Sequence, residues 1–580
     1  MVSSCQKISA ACMHQIDGQA IDLPADSQPY ISIPESEYLE LRSQVGYWKA
    51  MHQKALLREE GLKQEIKEKD GQIRDLKNRL FGKKSEKRPS KTEKANPKSN
   101  ENKRPRGQQP GSEGHGLTER PDLPVVYEQA CFPENPVCPC CGLPYTLDGS
   151  SGPEIQIIEV EVKAYTRRIV RQTGTKICSC KGVPQTITAP MPPKLMPKSP
   201  YGISIWIDVL LNKFHYCQPT NRLLNHYEEL GLPISAGTIS GGLNNLKELF
   251  EPICNRLYLQ QMTEDRFHQD ESSWKVFEEI QGKIGNKWWL WVSRSESVVY
   301  FLIAPGRGAD VPISYFENTR KGKIIVVCDR YSAYKSLANK MPFIILAFCW
   351  AHVRRDFLDA ARKYPELEEW AFCWIEKIAQ LYHINNLRCA AFDKALPVQW
   401  QSESFKKRHE SVINKMNEIT QDRDAFIESH NPDDPNSTLL SNAKYKILKS
   451  LKNHWDGLSV FVEHPEVPMD NNKGENAIRN PVTGRRNFYG SGSVWSAQLA
   501  AMMFSLFKTL ELWGLNCHHW LNSYLNACAL NHGKAPEELS RFLPWEMDKA
   551  RLEKLSKPID KYQDRNNSRF NGLFEIDNIP

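Results

Sequence analysis

The sequence predicts a multidomain chain: an α/β core interrupted by a large helical insertion and preceded by a coiled coil, a cysteine-paired module and a helical region. Three observations carry this reading. At 580 residues the chain is too long for one core and fits three or four domains at roughly 100–200 residues each. Between Arg266 and Cys349 strand and helix patterns alternate, and Ile324-Ile-Val-Val-Cys328 is the continuous apolar run of a strand buried on both faces. From 365 to about 463 the strands give way to long amphipathic runs, among them Ser404–Ile419 and Leu439–Leu458.

Composition narrows the class. The chain is 40% hydrophobic and 25% charged, ordinary for a globular protein, and no apolar run approaches the roughly 18 residues that a membrane span needs. A membrane protein is therefore not expected. Met1–Ile21 lacks a basic segment followed by an apolar stretch, so no secretory signal is expected and the cytoplasm is the default location. The net charge of +7 has a single source: 83–106 holds ten Lys or Arg against three Asp or Glu, a surplus equal to that of the whole chain.

The first element is a coiled coil over 37–82. Leu41, Val45, Trp48, Ala55, Leu62, Ile66, Ile73, Leu76 and Leu80 recur at alternating four- and three-residue steps, which predicts a helix pairing two chains into a homo-oligomer. His52, Glu59 and Lys69 interrupt this seam, and an amphipathic helix docked on its own protein is the alternative. The basic linker, 83–124, follows. Its 83–106 stretch has Ala95 as its one apolar side chain and cannot bury enough surface to offset the entropy of ordering. Such a tether is either merely solvated or gains affinity for DNA through counterion release.

The segment 125–195 reads as a zinc-ribbon-like domain. Of the sixteen cysteines, six fall between Cys131 and Cys180, including Cys138-Pro-Cys-Cys141-Gly and Cys178-Ser-Cys180, separated by the strand-like alternation Ile155–Gln172. Cys138, Cys141, Cys178 and Cys180 supply four thiolates for a structural zinc, which would leave no open position for a substrate; reduced, metal-free thiols are the alternative. The next segment, 196–262, is helical. Asn221–Leu230, a glycine-containing turn and Gly237–Leu246 have the spacing of a helix-turn-helix that reads DNA, and equally that of a helical hairpin in a core.

In 263–364 the order is three meandering strands (Arg266–Phe277, Lys287–Val292, Val298–Ile303), a short helix near Ile313, the buried strand, a helix (Ser332–Asn339), a strand (Phe343–Phe348) and a helix (Ala351–Tyr364). This order suits a ribonuclease H-like fold. Asp270 lies within the first strand and Asp329 ends the fourth, and in such a sheet these strands are neighbours. Two carboxylates converging on one cleft suit magnesium, although a lone Asp at a strand end commonly caps a helix or forms a turn. After the insertion, 365–465, the core resumes in 466–512 and a helical segment, 513–560, closes the chain. Asp470 or Asn471 reads as a helix cap, with Glu475 and Arg479 four residues apart on one face.

The chain resembles the large transposase of the insertion sequence sixty-six family. The resemblance rests on Leu80-Phe-Gly-Lys-Lys-Ser-Glu-Lys87, the cysteine pairs, His268-Gln-Asp270-Glu271, Asp329-Arg-Tyr331 and Cys349-Trp-Ala-His352-Val-Arg354-Arg355. It continues through Asp470-Asn-Asn-Lys-Gly-Glu475, Gly484-Arg-Arg-Asn487 and Leu543-Pro-Trp545. It departs at Asn476, where the family usually has arginine, and in the second cysteine pair, one residue short. The resemblance implies a DNA transposase that cuts the ends of a bacterial insertion sequence and joins them to target DNA, with Asp270, Asp329 and Glu475 as catalytic triad and magnesium ligands. It also implies accessory proteins encoded by the same element. Two magnesium ions roughly 3.5–4 Å apart would stabilise the attacking and leaving oxygens.

His352, Arg354 and Arg355 open the helix after the fifth strand, and Arg479, Arg485 and Arg486 flank the glutamate. As a group they are placed to clamp DNA phosphates, while any one alone reads as solvated surface charge. Cys349 and His352 have metal-ligand spacing, but with no second pair nearby in sequence no zinc is expected there. The alternatives are a catalytically silent DNA-binding regulator derived from such an enzyme, a scaffold without chemistry, and a glycoside hydrolase using two carboxylates. The last gives no reason for the basic tether or the arginines.

Overall fold

The computed structural model describes residues 34–81, 139–144, 162–175, 177, 182, 184–197, 199–319, 322–397, 400–434 and 437–557. The chain divides into two units, Met1–Lys83 and Lys84–Pro580. In the first, helix α1 (Glu35–Phe81) runs for 47 residues, about 70 Å at 1.5 Å per residue. Its seam side chains Leu41, Val45, Trp48, Leu62, Ile66 and Ile73 are all exposed.

The second unit begins with a short antiparallel pair, β1 (Thr173–Thr175) and β2 (Thr186–Thr188). The strand expected over Ile155–Gln172 is not there in its described part: 162–172 carries no ladder, and the pairing starts one residue later. Tyr165, Ile169 and Val170 are exposed, so the alternation has no apolar layer to pack against. Helix α2 (Ile203–Leu210) runs into a π-helical turn, and α3 (Thr220–Glu229) and α4 (Ala236–Gln261) follow. The Ser235 hydroxyl caps α4 by accepting from Thr238 N at 3.1 Å. The expected second helix of the hairpin is thus 26 residues long, and it buries Ile239, Leu243, Leu246, Phe250, Ile253 and Leu257 in the core.

The α/β core follows in the anticipated order: β3 (Arg266–Lys275), β4 (Lys287–Arg294), β5 (Val299–Ala304), α5 (Asp310–Phe316), β6 (Ile324–Cys328), α6 (Ser332–Lys340), β7 (Ile344–Phe348) and α7 (Trp350–Lys363). The strands lie in the order β5-β4-β3-β6-β7. The hairpin-linked strands β3, β4 and β5 pair antiparallel, whereas β6 and β7, reached through helical crossovers, pair parallel. All five residues of β6 are buried.

Four helices fill the insertion: α8 (Glu368–Ala390), α9 (Glu403–Ser429), α10 (Leu439–Asn453) and α11 (Trp455–Glu463). The run Leu439–Leu458 is two helices, not one. It breaks at His454, whose ring bonds Ser450 O and Lys335 Nζ, each at 2.6 Å. The break lets α11 lie against β7, where Gly457 permits an approach that a Cβ would block at 3.0 Å from Leu346 O and against the Phe348 ring. The chain then forms α12 (Asn472–Phe488), α13 (Val494–Leu512), α14 (Cys517–Leu530) and α15 (Lys549–Ser556).

Helices cover both faces of the sheet. Trp274, Trp288, Leu290, Val292 and Phe301 face a core shared with α2, α4, α13 and α14, while Phe267, Trp291 and Val326 face one shared with α5, α6, α7 and the insertion. The edge strand β5 is closed by α13, where Ser505 Oγ accepts from Phe301 N at 2.8 Å and Thr509 Oγ1 from Val299 N at 3.1 Å. Among the described residues no helix is long and apolar enough to cross a membrane.

Candidate active site

Strand register brings the two aspartates together. In the parallel pair β3–β6, His268 stands opposite Val327, so two residues further along each chain Asp270 and Asp329 emerge side by side. Asp270 Oδ1 accepts from Glu271 N at 2.8 Å. Asp329 has the turn-forming role expected of an Asp at a strand end: Oδ1 accepts from Tyr331 N at 2.9 Å, closing the turn into α6.

Glu475 arrives on the first turn of α12, and Asn471 fixes that turn. Its side chain does not cap the helix as expected. Instead Nδ2 donates to Gln269 O at 2.6 Å, Oδ1 lies 3.1 Å from His268 Nδ1, and its backbone N–H donates to Cys349 Sγ at 3.2 Å. Gly474 is required by this arrangement, because a Cβ there would stand 2.9 Å from Asn471 Oδ1. The Glu475 carboxylate faces His352, with Nε2 4.0 Å from Oε1. Among the described residues it makes no ion pair with Arg479, the surface bridge that their spacing allowed.

Electrostatics mark Asp270. Burial first, then the carboxylate of Glu271 and those of Glu475 and Asp329, push its proton affinity up to about 7. Burial also holds His268 neutral, at about 4. Beside this centre stands a network that sequence reasoning missed. Glu271, 2% exposed, accepts from Arg307 Nη2 at 2.6 Å and from Tyr334 OH at 2.7 Å. Arg307 in turn lies over the Tyr331 and Trp289 rings at 3.9 and 4.6 Å. Burial raises Glu271 in spite of these two donors. Glu271 was visible only as part of a motif, and Arg307, 36 residues on in a loop, gave no pattern at all.

The expected phosphate clamps divide. Arg355, Arg479 and Arg486 are exposed, and Arg354 is half-buried. Arg485 is committed internally: Nη1 donates to the hydroxyls of Ser272 and Ser273 at 3.0 and 2.8 Å, tying α12 to β3. His352 turns toward Glu475, where burial and Arg355 lower its proton affinity, so it offers no standing positive charge to a phosphate. Of the expected zinc ligands, Cys141 lies in an exposed turn, and Cys138, Cys178 and Cys180 lie outside the described residues.

The family model described as transposase IS66 family matches residues 198–499, which include all three carboxylates. The chain belongs to the IS66 transposase family. Curated relatives are distant: the uncharacterized protein y4jD of Sinorhizobium fredii is 22% identical over 72% of this chain and 80% of its own length. The uncharacterized protein y4hP of the same organism is 22% identical over 71% of this chain and 74% of its own. The IS66 match begins before α2 and ends within α13, so it takes in the sheet, the insertion and α12.

Proposed function

We propose that this chain is the catalytic transposase of a bacterial insertion sequence, with a ribonuclease H-like core that cleaves the element's ends and joins their 3′ hydroxyls to target DNA. The observation that carries the reading is the convergence of Asp270, Asp329 and Glu475 from two adjacent parallel strands and one helix. The donors fit magnesium: they are hard oxygens, burial and then neighbouring carboxylates push Asp270 up to about 7, and Glu475 Oε1 is buried without a hydrogen-bond partner. Bound by these three residues, magnesium would neutralise charge on the attacking and leaving oxygens of an in-line displacement.

In this reading water attacks the phosphorus at the element's end, the bond to the 3′ oxygen breaks, and a 3′ hydroxyl is released. That hydroxyl then attacks a target phosphodiester and displaces its 3′ oxygen. Asp270, Asp329 and Glu475 hold the centre, while Arg355, Arg479 and Arg486 bind flanking phosphates. Asn471 and Arg485 keep α12 on the sheet so that Glu475 stays in reach. The exposed seam of α1 supports pairing with a second copy. The basic 83–106 segment supplies sequence-independent affinity for DNA.

The test uses the full chain, a labelled duplex carrying the terminal inverted repeat that flanks the gene, a supercoiled target and magnesium. Metal-dependent nicking and joining by wild type and not by Asp329→Ala supports the reading. If neither protein cuts, even with manganese and the neighbouring gene products, while both bind the end, the silent-regulator reading takes its place.

A further inference from the structure

Glu475 belongs to a second cluster whose chemistry differs from that of the aspartates. Ligand atoms of Cys349, His352 and Glu475 all lie within 4.8 Å of one another. Cys349 is the N-cap residue just before α7 and His352 lies three residues on, in its first turn; Glu475 is delivered from α12. A tetrahedral zinc with bonds of about 2.1–2.3 Å sets its ligand atoms roughly 3.4–3.6 Å apart. The 4.0 Å between His352 Nε2 and Glu475 Oε1 is therefore closed by a small side-chain movement.

One further observation points to a ligand. Glu475 Oε1, the oxygen that faces His352 Nε2, is a buried polar atom with no hydrogen-bond partner. The Cys349 sulfur is fully buried and receives the backbone N–H of Asn471 at 3.2 Å; burial holds the thiol up in spite of that bond, so a bound cation has to displace its proton. The His352 and Glu475 side chains remain 26% and 27% exposed, which leaves a way in from solvent.

We propose that Cys349, His352 and Glu475 form a binding site for a soft divalent cation of the zinc class, and that occupancy of this site withdraws Glu475 from the carboxylate centre. Sulfur and imidazole select zinc over magnesium, and three protein ligands leave a fourth position for water. Binding releases the thiol proton to solvent. Because Glu475 serves both clusters, zinc inhibits where magnesium activates. This consequence rests on the transposase reading; the site itself does not.

Cobalt reports the site directly through its thiolate charge-transfer absorption. Full-length wild type, Cys349→Ser and His352→Gln, stripped of metal, are titrated with cobalt, the cysteine-paired segment contributing equally to all three. Each variant is expected to bind one ion fewer per chain than wild type, and Cys349→Ser to lack that ion's thiolate band. Circular dichroism checks folding, and His352→Gln, at a partly exposed position, decides the matter if the buried Cys349→Ser misfolds. Equal stoichiometry in wild type and folded variants overturns the site. Zinc is then titrated into the magnesium-dependent nicking reaction, where Cys349→Ser should need roughly tenfold more zinc than wild type for half-inhibition. Equal sensitivity overturns the competition. If wild type fails to nick without zinc, the transposase reading fails while the cobalt count still decides the site.

Discussion

Asn471 and His268, 203 residues apart in the chain, meet at 3.1 Å beneath the carboxylate centre. The contact joins the helix that carries Glu475 to the strand that carries Asp270, and Asn471, 1% exposed, adds a second bond to Gln269 O. Replacing Asn471 by Ala leaves that carbonyl and the His268 ring nitrogen unpaired in the interior. The expected cost is about 2–6 kcal/mol in urea unfolding, at about 1–3 kcal/mol for each orphaned group. A loss below about 1 kcal/mol would mean that α12 is held elsewhere.

Asp270 makes metal-free stability depend on pH. Its proton affinity rises from an ordinary 3.8 to about 7 in the fold, so the folded state holds a proton that the unfolded state has released. This contribution is present below 3.8 and lost as pH rises through 7. His268, depressed to about 4, acts in the opposite sense: its contribution is present above the ordinary histidine range and lost as pH falls toward 4. The comparison with Asp270→Asn separates the two. Without magnesium, the variant's melting temperature should gain on wild type steadily between pH 4 and 7 and level off above. A difference independent of pH contradicts the assignment.

Glu271 and Arg307 form a pair that is cheaper to remove whole than to break. Arg307→Met strands a buried carboxylate, which costs about 1–3 kcal/mol once the 38% exposure of the arginine is allowed for. Adding Glu271→Gln should return part of that loss. A double-mutant cycle by chemical denaturation measures the coupling, and strictly additive effects would show that the pair contributes nothing of its own.

The seam of α1 has an equally simple test. Leu62 and Ile66, 50% and 61% exposed, would be covered in a coiled coil. Leu62→Asp with Ile66→Asp in the full chain should shift the mass seen by light scattering from the oligomer toward a single chain. An unchanged mass places any association outside α1.

How far the sequence could be read follows from the range of each interaction. The strands and their order were legible because Ile324–Cys328 is a continuous apolar run and because period-two patterns in 266–303 are local. Asp270 and Asp329 follow from that order. Glu475 needed the motif around it, since a glutamate on the first turn of a helix is otherwise unremarked. Asn471 looked like a helix cap because an Asn just before a helical run is a common cap, while its side-chain partners lie on β3. Arg307 and the third member of the Cys349–His352 cluster were illegible for the same reason: they meet their partners only through the tertiary fold. His454 broke a periodic run because Lys335 and the surface of β7 set the path of α11, and neither is encoded nearby.

In the proposed reaction Asp270, Asp329 and Glu475 act as one centre. The most direct test is the rate of magnesium-dependent 3′ nicking by Asp270→Asn, Asp329→Asn and Glu475→Gln, each folded and still binding the element's end. Each single change should lower the rate roughly a thousandfold or more, equivalent to about 4 kcal/mol of lost transition-state stabilisation. Nicking at near wild-type rate by any one of the three would remove that residue from the centre and contradict the account.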